Sequence, residues 1–169
     1  MRRSLRIASV ALALPFLAGM APYHVLDDLL EGMAGPCPSN PAWRTLVGSL
    51  VDGNLNLTGR VDVPEGLAQA FGTPRIVGDD PEAGEVAVEV PVIGGALRGM
   101  PVTALAFGFA RDYPLIDYGV RFDAAISAED VRAAFADDIA RFEADNPESI
   151  VEHSIEDGTA VVLRCFAVN

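Results

Sequence analysis

Apolar residues recur at helical spacing from Tyr23 to Ala34, where Leu26, Leu29, Leu30 and Met33 share one face and Asp27, Asp28 and Glu31 lie largely opposite. Gly35 and Pro36 end that pattern. A second short helix is predicted from Asn40 as N-cap and Pro41 in the first turn, with Trp43, Leu46, Val47 and Leu50 on one stripe. From Leu55 the period shifts toward two: a strand start at Leu55–Thr58, a helical turn or two over Pro64–Phe71 and a strand over Pro74–Gly78.

The alternation is clearest further on. Val86, Val88 and Val90 point one way and Glu85, Ala87 and Glu89 the other, so one face is buried and one wet. The glycine-rich stretch Ile93–Gly99 reads as a connection into Pro101–Ala110, where Leu105, Phe107 and Phe109 share a face and Ala104, Ala106 and Gly108 the other. Small residues on that second face predict a central strand covered on both sides. Tyr118, Val120 and Phe122 alternate with Gly119, Arg121 and Asp123 in the next strand.

Ser127 is a predicted N-cap, with Glu129 and Asp130 in the first turn, for a helix whose apolar stripe is Val131, Ala134, Phe135, Ile139 and Phe142. A closing hairpin over Ser149–Ile155 and Thr159–Ala167, turned at Asp157-Gly158, is expected to be tight. Together these elements predict an α+β fold: an antiparallel sheet of about five or six strands, one amphipathic helix from the C-terminal half packed on it, and two short N-terminal helices. Residues 22–60 form the N-terminal helical segment and 61–169 the α+β domain, the two making one folded unit.

Charge and targeting add a location. Arg2, Arg3 and Arg6 precede an apolar run ending in small residues at Gly19 and Ala21, the layout of a Sec-type signal peptide over residues 1–21. Position 20 is Met where a lipidated Cys would stand, Pro15 interrupts the run, and it is short for a membrane span, so no stable anchor is expected after cleavage. Removing 1–21 leaves nine Arg against all 24 acidic residues. Such a domain repels nucleic acid and favours a basic protein or cationic ligand. In a periplasmic or secreted protein the two cysteines, Cys37 and Cys165, are expected to form a disulfide.

Candidate chemistry is sparse. The chain has no Lys, which excludes a P-loop lysine and Schiff-base catalysis, and its two histidines, His24 and His153, cannot build a three-His zinc site. His24 with Asp27 and Asp28 supplies two ligand positions on one helical turn, too few to close a site. Ser154 follows His153 in a strand and so points to the opposite face, against a simple Ser–His dyad. Gly94–Gly99 resembles a phosphate loop but leads into a strand and not a helix. The acidic turn Asp79, Asp80, Glu82 and Glu85 lacks the spacing of a calcium loop. No catalytic residue, metal or cofactor is therefore expected.

What remains is the loop Arg111–Tyr118, which concentrates Arg111, Asp112, Tyr113, Asp117 and Tyr118 and has the composition of a contact surface. The expected function is that of an exported acidic binding module of the bacterial cell envelope. The alternatives are a hydrolase or isomerase using Asp112 and Asp117, or a carrier of a small apolar ligand in a cavity lined by Phe107, Phe109, Phe135 and Phe142.

Overall fold

A computed structural model describes residues 24–80, 82–111 and 117–167. The expected signal peptide, and Asp112 and Tyr113 of the candidate loop, lie outside the described residues.

In chain order the elements are β1 (His24–Val25), α1 (Pro41–Leu50), a 3-10 helix (Glu65–Ala70), β2 (Arg75–Asp80), β3 (Glu85–Leu97), β4 (Met100–Ala110), β5 (Asp117–Phe122), α2 (Ala128–Asp145), β6 (Val151–Glu156) and β7 (Val162–Ala167). The strands form one seven-stranded sheet in the order β1-β3-β4-β5-β7-β6, with β2 also paired to β3. All pairings are antiparallel except β1 with β3. The α+β class holds, and the sheet is larger than the sequence suggested.

The first expected helix is the main departure. Residues 27–36 form successive turns, and His24–Val25 pair with Gly95–Ala96 as a short parallel strand. Leu30 N–H donates to the Leu26 carbonyl as a helix would, but Met33 and Gly35 donate three residues back. Gly32 is the reason: its φ of +93° turns the chain, and a Cβ there would sit 2.8 Å from the Cys37 carbonyl oxygen. The apolar positions nevertheless face the core: Leu26, Leu29, Leu30 and Met33 are all buried.

α1 forms as read. Asn40 accepts from Trp43 N–H and its amide donates to the Asp28 and Leu29 carbonyls, so one side chain caps the helix and ties it to the preceding turns. α2 starts at a capping box in which Ser127 and Asp130 exchange side-chain to backbone bonds.

Two turns differ from expectation. β3 continues through the glycine-rich stretch to Leu97, and the reversal is made by Arg98 and Gly99 alone, both at positive φ. Gly95 sits at a register shift where a Cβ would meet Val92 Cγ1 at 2.4 Å. In the last hairpin, Glu156 pairs with Val162, so the connection is five residues long instead of a tight Asp-Gly turn. Val161 is drawn under the sheet, where its carbonyl accepts from Phe122 N–H.

β4 is central, between β3 and β5. Its Leu105, Phe107 and Phe109 join Val88, Val90, Tyr118, Val120, Phe122 and Leu163 in one core, which also takes in the 26–34 turns, α1 and the start of α2. Trp43 stacks on Phe107 with ring centroids 5.4 Å apart, and Phe135 of α2 packs on Phe122 at 6.4 Å. Both helices thus lie on one face. The second face of β4 has no helix over it among the described residues, contrary to the expectation of cover on both sides, and what lies there are charged side chains.

Cys37 and Cys165 are disulfide-bonded, Cα to Cα 5.8 Å, across a separation of 128 residues. This fastens the end of the N-terminal turns to β7 and suits an oxidising environment. No helix among the described residues is long and apolar enough to cross a membrane.

Candidate functional site

The uncovered face is built by strand alternation. The residues opposite the core on β3, β4 and β5 include Ala87, Ala106, Gly108 and Gly119, which are too small to rise above the backbone. Ala87, Ala106 and Gly108 floor a trough of about 380 Å³ with Asp80 and Glu85 on one wall and Asp117, Arg121 and Arg164 on the other, while Asp79, opposite the core residue Val86, sits at its rim.

The arginines are spoken for. Register places Arg75 opposite Glu89, and both Arg75 and Arg121 clamp the Glu89 carboxylate, whose side chain is 4% exposed. Arg75 Nε donates to Glu89 Oε1 at 3.1 Å. Glu89 is therefore a buried charge made tolerable by two guanidinium groups. Arg164 reaches Asp117 Oδ2 at 2.9 Å and Glu156 Oε1 at 2.7 Å. Among the described residues no ion pair involves Asp79, Asp80 or Glu85. The trough's uncompensated charge is negative.

Two regions singled out in the sequence meet at its end. Glu85 pairs with Ala110, and Arg111 N–H donates to the Gly84 carbonyl at 3.0 Å, so the acidic turn and the Arg111–Tyr118 loop share one end of the sheet. Arg111 is exposed and lines a hollow with Asp79, Asp80 and Glu85, while Asp117 faces the trough. Tyr118 goes the other way. It is buried with its ring 5.0 Å from Trp43, and burial pushes its phenol well above the ordinary range, so its ring is not available for contact. Sequence reasoning missed Glu89, Arg75, Arg121 and Arg164, since cross-strand partners become visible only once register is known.

The acidic turn does not gather as a metal site. Asp80 Oδ1 accepts from Glu82 and Ala83 N–H groups and so shapes the turn. Among the described residues no three His, Cys, Asp or Glu side chains converge as ligands. The four phenylalanines do not enclose a common space either: Phe107 and Phe109 pack in the core, Phe135 beneath Phe122, and Phe142 against His153.

His153 points to the core face, opposite Cys165, while Ser154 lies opposite Arg164 on the trough face, so the two neighbours are separated by the sheet as expected. The ring lies edge-on to Phe142 and its Nε2 is 3.5 Å from Cys165 Sγ. Burial holds its pKa below the usual histidine value, partly opposed by the Gly35 backbone and Glu143. A second cleft, of about 440 Å³, lies between the N-terminal turns, Arg98 and α2, but Arg98 fills much of its chemistry, stacking on Phe135 at 4.3 Å and pairing with Asp138.

The chain has no significant match to a family model, to a curated protein or to a solved structure.

Proposed function

We propose that the protein is an exported binding module of the bacterial cell envelope whose trough receives a basic protein partner or cationic ligand. The observation that carries this reading is the charge accounting of the trough: its arginines are neutralised by Glu89, Asp117 and Glu156, whereas Asp79, Asp80 and Glu85 have no ion pair among the described residues. An Ala/Gly floor lets a partner's backbone or a flat group approach closely, and the unpaired carboxylates supply attraction and orientation. Arg111 and Asp117 extend the contact at the end of the sheet. The disulfide and the charged N-terminus followed by an apolar run support export to an oxidising compartment.

The experiment compares two variants of equal net charge. Asp79→Asn, Asp80→Asn and Glu85→Gln together are expected to weaken capture of a lysine-rich peptide about tenfold or more at physiological salt. Neutralising Glu129, Asp137 and Asp145 on α2 is expected to change it little. Equal loss in the two triple variants would mean that only overall charge attracts the peptide, and the trough reading would fall.

A further inference from the structure

β6 ends the sheet, and among the described residues it pairs with β7 alone. Its six-residue ladder with β7 carries no register shift, so its other edge offers a regular row of backbone donors and acceptors. The opposite border of the sheet is unlike it. There β3 is shared by β2, a single Phe71–Val92 bridge and β1, and β2 itself is bulged between Ile76 and Gly78.

α2 stands beside the β6 edge with an apolar stripe that is only partly used. Val131 and Phe135 are buried, yet Ile139 further along is half-buried. With Ala136 and Ala140 of α2 and Ile155 of β6 it lines a groove of about 400 Å³ whose floor is apolar and whose lining also includes Arg132, Glu143 and His153. An edge strand beside an open apolar helix face is the arrangement that accepts an extended peptide by strand addition.

We infer that an extended peptide of alternating basic and apolar residues adds to the sheet as a strand along β6, its apolar side chains entering the groove beside α2. The alternation follows from β6 itself. Val151, His153 and Ile155 lie on the core face and Glu152, Ser154 and Glu156 on the trough face. An antiparallel partner then places an apolar residue opposite each of the first three, and basic residues opposite Glu152 and Glu156. Glu156 already holds Arg164, while Glu152 has no ion pair among the described residues. A second copy of this chain is the wrong occupant, because two-fold pairing through β6 sets these glutamates directly opposite or diagonal to one another. The inference rests on the reading of the protein as a binding module but uses a different surface from the trough.

The probe is an acetylated, amidated Arg-Val-Thr-Val-Arg-Val peptide, added to the intact oxidised protein while amide hydrogen exchange is followed residue by residue. Saturable binding in the micromolar to millimolar range is expected, with exchange slowed about tenfold or more at alternate amides of Val151–Glu156. The peptide with Glu in place of Arg is expected to bind about tenfold more weakly, and Glu152→Arg to invert that preference. Ala136→Trp, at an exposed helix position, fills the groove and removes binding without unfolding the protein. Protection of β6 at high protein concentration without peptide, equal binding of the two peptides, or no binding at millimolar concentration each overturns the inference. Binding that protects trough residues and vanishes on neutralising Asp79, Asp80 and Glu85 also overturns it, while leaving the trough reading intact.

Discussion

Tyr118 shows how one side chain's direction decides its role. Two tyrosines, an arginine and two aspartates in eight residues read as a contact loop, yet β5 starts at Asp117 and its pleat sends Tyr118 inward to Trp43. The alternation Tyr118, Val120, Phe122 carries this direction, whereas residue composition alone does not. The phenol oxygen is buried without a hydrogen-bond partner among the described residues. Tyr118→Phe is therefore expected to leave stability unchanged or raise it by about 1 kcal/mol, because an unsatisfied hydroxyl is removed from the core. Tyr118→Ala opens a cavity beneath Trp43 and is expected to cost about 3–5 kcal/mol. Urea titration of the two variants measures both, and a stable Tyr118→Ala protein would show that the ring is not part of the core. Glu89 was invisible for the opposite reason: its place in the alternation marked it as a wet residue, and only the paired arginines explain its burial.

Elements with a strong period and a chemical start signal were the most legible. α1 and α2 begin at the capping residues the sequence offered, and β3, β4 and β5 alternate as read. Elements set by backbone conformation were not. The helical spacing over residues 23–34 placed the right side chains in the core, but Gly32 turns the chain where a helix would continue, and β1 pairs with a strand some 70 residues away. The joint between α2 and β6 is where one titration reaches an element contact. His153 is wedged against Phe142 and the disulfide with its pKa lowered by burial, so folding favours the neutral ring. Its contribution is complete above the unfolded-state value of about 6.5. As pH falls below that value the unfolded chain takes the proton more readily, and stability drops until the folded ring is also protonated. Denaturation midpoints from pH 8 to pH 5 should show this decline, and His153→Gln should remove its share of it. An unchanged slope in that variant would assign the decline to other groups.

At the scale of the molecule, the α+β class and the Cys37–Cys165 pairing were legible, the first from period and the second from there being only two cysteines. The one-sided layering was not, because Ala and Gly on a strand face permit either a covering helix or an open trough. Reduction of the disulfide releases a loop of more than a hundred residues and is expected to lower stability by about 5 kcal/mol. Thermal unfolding with and without reductant tests this; coincident curves would mean that the N-terminal turns are held by their apolar contacts alone.

The position of β7 governs the timing of folding. Among the described residues it is the last strand in chain order, yet it lies inside the sheet between β5 and β6 and carries Cys165. While the chain is being made, β5 has no neighbour on that side and β6 has no sheet to join, so both wait until Val162–Ala167 is available. Such late, non-local closure makes folding slow and leaves open strand edges exposed in the interval. Formation of the disulfide then reports the docking of β7, because Cys37 meets Cys165 in the native arrangement only when that strand has taken its place.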